Sequence, residues 1–282
     1  MKLSKKFITA GIVAALTMSV AASAFAADLT VKAKKIHNGQ VRVSTPIITG
    51  SEGGPAMDTL LTQMTTKNTV VELYKLFPVE GAADKLTDAE YLAFCNDSKD
   101  PVKEGFKLVD ASAFIVNASF DKEQKELGKT KAAEKYNLDI DYTTYTVGDN
   151  LLSLTQRTSS YTGGAHDNVN VTTLTVNPKT GEVYTLADMF VPGSDYKARL
   201  EMLIAIQQKG DNRLRERMGD TAVDYKKVAI NGDEKFYLNS DLHDWGVYVV
   251  YNPGEVAPMA AGVQKFYIPI DTISDIINYD LK

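Results

Sequence analysis

The chain has 282 residues, 44% of them apolar, with a formal charge of −5 and a single cysteine. That apolar share supports a packed core, in one large domain or two small ones. The acidic balance argues against nucleic acid as a partner, because phosphate binding needs a basic surface; one cysteine excludes an intramolecular disulfide, even where the compartment would permit one.

Lys2, Lys5 and Lys6 precede an apolar, alanine-rich run from Phe7 to Ala27. Ala24-Phe25-Ala26 fits a small-x-small cleavage pattern, which predicts a signal peptide over 1–26. The competing reading keeps the run as an anchor, since about 20 apolar residues just span a bilayer. Cleavage removes three lysines and no acid, leaving 256 residues with a charge of −8. The expectation is an exported protein, periplasmic or extracellular, with no transmembrane segment after cleavage. The excess of acid eases the approach of a basic partner, although simple solubility explains most acidic proteins.

Residues 29–36 and 40–48 read as a hairpin around Asn38-Gly39, a dipeptide suited to positive φ. Gly53-Gly54-Pro55 breaks the chain, and Pro55 suits the first turn of a helix. Met57, Leu60, Leu61 and Met64 then follow at helical spacing, weakened from Thr65 to Thr69. Thr87-Asp88-Ala89-Glu90 is a capping-box pattern that predicts a short helix from Asp88 to Cys95. Cys95 follows Tyr91, Leu92 and Phe94 and reads as a buried small hydrophobe. Residues 107–120 are apolar and β-branched, which predicts a strand, and 121–135 a charged loop.

Residues 136–147, 150–160 and 168–176 read as consecutive antiparallel strands. Gly148-Asp149-Asn150 turns between the first two, and Asn177 to Gly181 forms a later hairpin turn. Ser194 is the expected cap of a helix buried through Tyr196, Leu200, Leu203 and Ile204. Gly210 is expected to end or kink it, with 211–218 helical beyond. Strands near 235–239, 245–251 and 264–270 and a last helical turn after Asp271 complete the chain. The fold class expected is α+β, antiparallel sheets packed with a few helices in a two-part chain.

Two loops stand out. One is Tyr161-Thr-Gly-Gly-Ala-His166; the other runs from Tyr251 to Gly262 through Asn252-Pro253-Gly254-Glu255. The order strand, Gly-Gly-Ala-His loop, strand, Asn-Pro-x-Thr-Gly turn, "YTLADMF", helix and "FYLNSDLHDWGVYVVYNPGEVAPMAAGVQKFYIPI" resembles the extracellular part of RsiV-like proteins. In these an N-terminal domain, also found ahead of PdaC-type peptidoglycan deacetylases, precedes a C-terminal α+β domain. The resemblance implies a PdaC-like domain over 27–165 and an RsiV-like domain over 166–282. It also implies the family's best-understood role, direct binding of lysozyme by an anti-sigma factor ectodomain. Two departures qualify that role. Six residues before the apolar run are too few for a sigma-binding domain. No segment supplies the Asp-Asp pair and His-x-x-x-His site of a deacetylase.

The residues themselves offer little catalysis. His166-Asp167 and His243-Asp244 could join in a zinc site, but nothing in their spacing favours it. His166 is expected instead to orient the Gly-Gly loop through a backbone hydrogen bond. No Gly-x-Ser-x-Gly elbow exists, and Cys95 has no histidine nearby in sequence. Asp139 and Asp141 share a strand face, as exposed strands often show. Pro253 and Gly254 suit a type II turn that would hold Glu255 in place, most simply as a corner between core strands. Trp245 and the tyrosines could stack on sugars, although their strand positions point to core. The reading reached is a non-catalytic binding protein of the cell envelope, for lysozyme or a peptidoglycan-related glycan. The alternatives are a cell-wall glycan hydrolase using His166 and Glu255, or a structural envelope protein. The candidate ligand-binding residues are Tyr161, Gly163, Gly164, His166, Glu255 and Met259. The two loops are expected to lie close together. No catalytic residue, metal or cofactor is expected.

Overall fold

The structure is a computed structural model that describes residues 29–76, 91, 95–128, 135–148, 150–218, 223–241 and 244–278. The expected signal peptide and most of the expected 88–95 helix lie outside these residues; Tyr91 and Cys95 themselves are helical and buried. Among the described residues, three long helices and two mainly antiparallel sheets make the fold α+β. Among the described residues, no helix is long and apolar enough to cross a membrane.

The chain forms two compact units interleaved in sequence. One comprises residues up to Tyr142 together with Thr158–Asn168; the other comprises Thr143–Arg157 together with Val169–Lys282.

In the first unit, β1 (Thr30–Asn38) and β2 (Val41–Thr49) form the expected antiparallel hairpin. Asn38 pairs with Val41, so the two-residue turn is Gly39-Gln40 rather than Asn38-Gly39. Only Gly39 takes positive φ, at 57°. Asn117 explains the choice: its Oδ1 accepts the Gln40 N–H at 2.8 Å. A Cβ on Gly39 would lie 2.3 Å from that same oxygen.

Helix α1 (Gly54–Leu76) runs unbroken through the threonine-rich stretch. The hydroxyls of Thr65, Thr66 and Thr69 donate to carbonyls three or four residues back, at 2.8, 3.1 and 3.0 Å. Such bonds leave no hydroxyl unsatisfied, so the helix buries a polar face.

The expected strand at 107–120 is instead part of helix α2 (Pro101–Glu126), which also takes in the start of the expected charged loop. Asp100 caps it by accepting the Lys103 N–H at 3.0 Å, and Pro101 occupies the first turn. Phe106, Val109, Ala113, Val116 and Phe120 are buried, at 3.6-residue spacing. β-branched content misled here because helix periodicity and caps outweigh a propensity of a few tenths of a kcal/mol per residue. After the helices the chain enters β3 (Asn137–Val147), whose start pairs parallel with β2, Val41 opposite Leu138. A parallel pair needs a crossover, and the helical segment between the strands supplies it. Both helices and these strands share one apolar core, including Leu73, Val109, Phe120, Leu138 and Ile140.

The strands β3, β4 (Leu151–Tyr161), β5 (Asn168–Val176) and β6 (Val183–Tyr184) follow β1 and β2 in one six-stranded sheet, in sequence order. The Asn177 turn forms as expected. Asn177 Oδ1 accepts the Lys179 N–H at 2.8 Å, and Gly181 sits at φ 76°.

In the second unit, helix α3 (Tyr196–Met218) packs against a three-stranded antiparallel sheet of β7 (Lys235–Asp241), β8 (Asp244–Tyr251) and β9 (Gln264–Pro269). Leu200 and Ile204 are fully buried, with Tyr196 and Leu203 beside them. One expectation for this helix fails. Among the described residues the buried Ser194 hydroxyl has no partner, and it is the Asp195 carbonyl that accepts the first helical N–H, from Arg199, at 3.1 Å. Gly210 does not end the helix, which runs on to Met218: a glycine costs only about 1 kcal/mol there. Strand β7 is an edge strand. Its Phe236 and Leu238 N–H groups donate to the hydroxyls of Thr173 and Ser153, both at 3.1 Å. Hydroxyls thus occupy edge donors that would otherwise invite another strand.

Candidate binding face

The loop after β4 is a backbone device. Gly163 and Gly164 take φ of 99° and 110° in succession, a conformation that side-chain-bearing residues rarely adopt. Tyr161 folds over it and donates its hydroxyl to the Gly164 carbonyl at 3.2 Å. At the loop's end, Asp167 accepts from the Ser159 hydroxyl at 3.2 Å. His166 is exposed and contributes no hydrogen bond among the described residues. It does not orient the loop; Tyr161 does, through its hydroxyl bond to the Gly164 carbonyl. His243, the partner weighed for zinc, lies outside the described residues.

The Asn252–Glu255 turn is more heavily built. Asn252 Oδ1 accepts the Val171 N–H at 2.7 Å, and Nδ2 donates to the Val171 carbonyl at 3.2 Å, so the side chain pairs like a strand residue with β5. Glu255 closes the turn on itself: its Oε2 accepts the Asn252 N–H at 2.6 Å, and its own N–H returns to the Asn252 carbonyl at 3.1 Å. Lys235 donates to Glu255 Oε1 at 2.8 Å, and Lys226 to the Gly254 carbonyl at 2.8 Å. Gly254 has φ 85°, and a Cβ there would lie 2.8 Å from Met259 Sδ. Glu255 is therefore a structural brace. Met259, in contrast, stands 65% exposed at the start of a short 3-10 turn.

The loop with Tyr161, Gly163, Gly164 and His166 belongs to the first unit, and Glu255 and Met259 to the second. Neither unit contains both loops.

The sequence reading missed an arrangement within the second unit. Tyr237, Tyr248 and Tyr267 stand opposite one another on β7, β8 and β9. Their rings form a row with Tyr145 of β3, at centroid spacings of 4.8, 4.7 and 4.8 Å. Lys265 lies 5.7 Å from the Tyr237 centroid. This row uses the face opposite Phe236, Val249 and Phe266, which bury toward the core that α3 shares. Gly246 makes room for it: a Cβ there would lie 2.3 Å from the Tyr267 ring. Tyr237 is core at 3% exposed, as the strand pattern implied, whereas Tyr145, Tyr248 and Tyr267 are only half-buried. The signal was a tyrosine in each of three strands, but only the register brings them opposite one another. Below the turn, burial holds the Tyr251 phenol above its ordinary value, with Glu234 and Glu255 adding to the shift.

Residues 187–271, which include α3, the three-stranded sheet and Met259, match a family model described as a protein of unknown function, DUF3298. A solved DUF3298-family structure from Bacteroides fragilis NCTC 9343 has a TM-score of 0.52 at 19% identity, covering 89% of this chain and 92% of that one. A DUF3298-family protein from Pseudomonas aeruginosa PAO1 gives 0.44 at 14% identity, covering 90% and 94%. No curated protein matches. The first likeness shows a shared fold. The DUF3298-like segment contains the Asn252–Glu255 brace and three of the four tyrosines in the row, and its description names no activity.

Proposed function

We propose that this chain is an exported, non-catalytic binding protein of the cell envelope, and that its partner is a cationic protein of the lysozyme kind. The observation that supports this reading is Met259: a large apolar side chain standing 65% exposed beside a turn braced by Glu255, Lys235 and Lys226. A rigid apolar anchor gives specificity, and the charge of −8 on the mature chain steers a cation toward it. The resemblance to RsiV-like ectodomains points the same way. Calorimetry with residues 27–282 and lysozyme should register binding, with association that slows as salt is added. Met259→Glu should weaken it about tenfold, or 1.4 kcal/mol, with unchanged circular dichroism. No binding heat in dilute buffer overturns the reading.

A second reading rests on the half-buried tyrosine row, which suits a peptidoglycan-related glycan. Its signature would be binding of soluble glycan fragments that Tyr248→Ala abolishes and Met259→Glu spares. Under either reading the protein releases no soluble fragments from peptidoglycan; their appearance would point to the hydrolase alternative.

A further inference from the structure

Helix α3 buries one side and leaves an apolar stripe on the other. Met202 and Ile206 are 52% and 58% exposed, among the most exposed large apolar side chains of the described residues. Ala198 and Lys209 are exposed along the same line, and Asp195 is exposed at its start. At 100° per residue, 195, 198, 202, 206 and 209 fall within about 80° of one another around the helix. Asp195 immediately precedes the helix, and its carbonyl accepts the Arg199 N–H at 3.1 Å, which keeps it in register. Among the described residues, neither the Asp195 carboxylate nor the Lys209 ammonium has an ion-pair partner.

The spacing of these five positions is 3, 4, 4, 3, which reads the same in both directions. Turned end for end, the stripe is complementary to itself. We propose that α3 pairs with α3 of a second copy, antiparallel, about a two-fold axis at Met202. Met202 meets its own counterpart, Ala198 receives Ile206 of the second copy, and Asp195 faces Lys209 at both ends. A two-fold interface requires this reciprocity of each contact. Parallel pairing would set Asp195 against Asp195 and Lys209 against Lys209, so charge selects the antiparallel arrangement. Arg199, on the flank of the stripe, is held within its own chain by Asp275 at 3.2 Å and the Thr272 carbonyl at 3.2 Å. The stripe from 195 to 209 is about 21 Å long. One such helix pair falls short of the ~1,200 Å² of a stable interface, so the dimer is concentration-dependent.

Sedimentation of residues 27–282 across roughly 10 μM to 1 mM tests this, with circular dichroism to confirm the fold of each variant. The wild type should shift from monomer to dimer. Asp195→Lys and Lys209→Asp should each weaken dimerisation at least about tenfold, because each creates two like-charge contacts. The double reversal should restore it to within about threefold. Met202→Cys should form a disulfide-linked dimer with oxidised glutathione, while Lys197→Cys should not; the native Cys95 is fully buried and its thiol is pushed up by burial. A monomer at every concentration, a double reversal that fails to restore association, or equal cross-linking at 197 and 202 each overturns the proposal.

Discussion

Helices α1 and α3 are both 23 residues long, and each packs on a sheet, but they do it with different chemistry. Helix α3 meets its sheet mainly through Leu200 and Ile204, which have no directional demands, and adds a bond from Gln207 Nε2 to the Tyr267 carbonyl at 2.9 Å. Helix α1 buries Thr62, Thr65, Thr66, Thr69 and Glu72 as well as Leu61, Val70 and Leu73. Its hydroxyls act as hooks. Thr62 Oγ1 accepts the Ile48 N–H of β2 at 3.0 Å, Thr69 lies 3.2 Å from the Thr45 hydroxyl, and Thr66 bonds Tyr91. Glu72, 4% exposed, accepts from Lys75 at 2.6 Å and from Thr158 at 3.3 Å. The lesson is that burial does not need an apolar stripe when each polar group carries its own partner. The first unit gains registry from these hooks; the second gains its stability from area removed from water.

The contrast predicts unequal responses to substitution. Leu200→Ala should have the largest effect, about 3 kcal/mol, through lost burial and a cavity. Urea unfolding would measure it, and a loss under 1 kcal/mol would mean that α3 is not the main support of its sheet. Gly39→Ala comes next, at about 2 kcal/mol, since positive φ is strained and the new Cβ displaces the Asn117 cap. Thr66→Val should cost about 1–2 kcal/mol by removing the hydroxyl that bonds Tyr91. Thr59→Val should cost under about 0.5 kcal/mol, because that exposed hydroxyl reaches only the Pro55 carbonyl of its own helix. Equal losses at 66 and 59 would remove the idea of hooks.

A separate effect is expected at high pH. Burial pushes Tyr142 up to about 12 from 10.0, and pushes Tyr91 and Tyr251 up as well. The native state then holds these protons where the unfolded chain has lost them. Stability should be complete below about pH 10 and fall as pH rises through about 12. Ultraviolet titration should show these phenols ionising after the exposed ones. Normal titration of all fourteen tyrosines in the folded protein would contradict it.

Much was legible in the chain because it is encoded locally. Period-two patterns and turn residues placed β1, β2, β3, β4, β5, β7, β8 and β9 within one or two residues. Leu200 and Ile204 announced the buried side of α3 at helical spacing. Where the reading failed, two local signals conflicted or a partner lay far away. At 107–120, β-branched residues outweighed Asp100-Pro101 and the 106-109-113-116-120 rhythm. At Gly39, a residue 78 positions later chose the turn. At the two loops, Met259 and the glycines were singled out from the sequence, but the bracing role of Glu255 and the passive role of His166 were not.

The sequence by itself determined the α+β class, most strand limits, the burial of Cys95 and the acidity of the chain. These follow from periodicity, composition and charge, which need no three-dimensional neighbour. Only the tertiary structure decided the tyrosine row, the pairing of Asn252 with β5, the polar seam of α1 and the bare stripe on α3. Each depends on strand register or on which side of a helix is covered. Those choices are made by long-range packing, in which residues 20 to 100 positions apart compete for the same donors and the same dry surface.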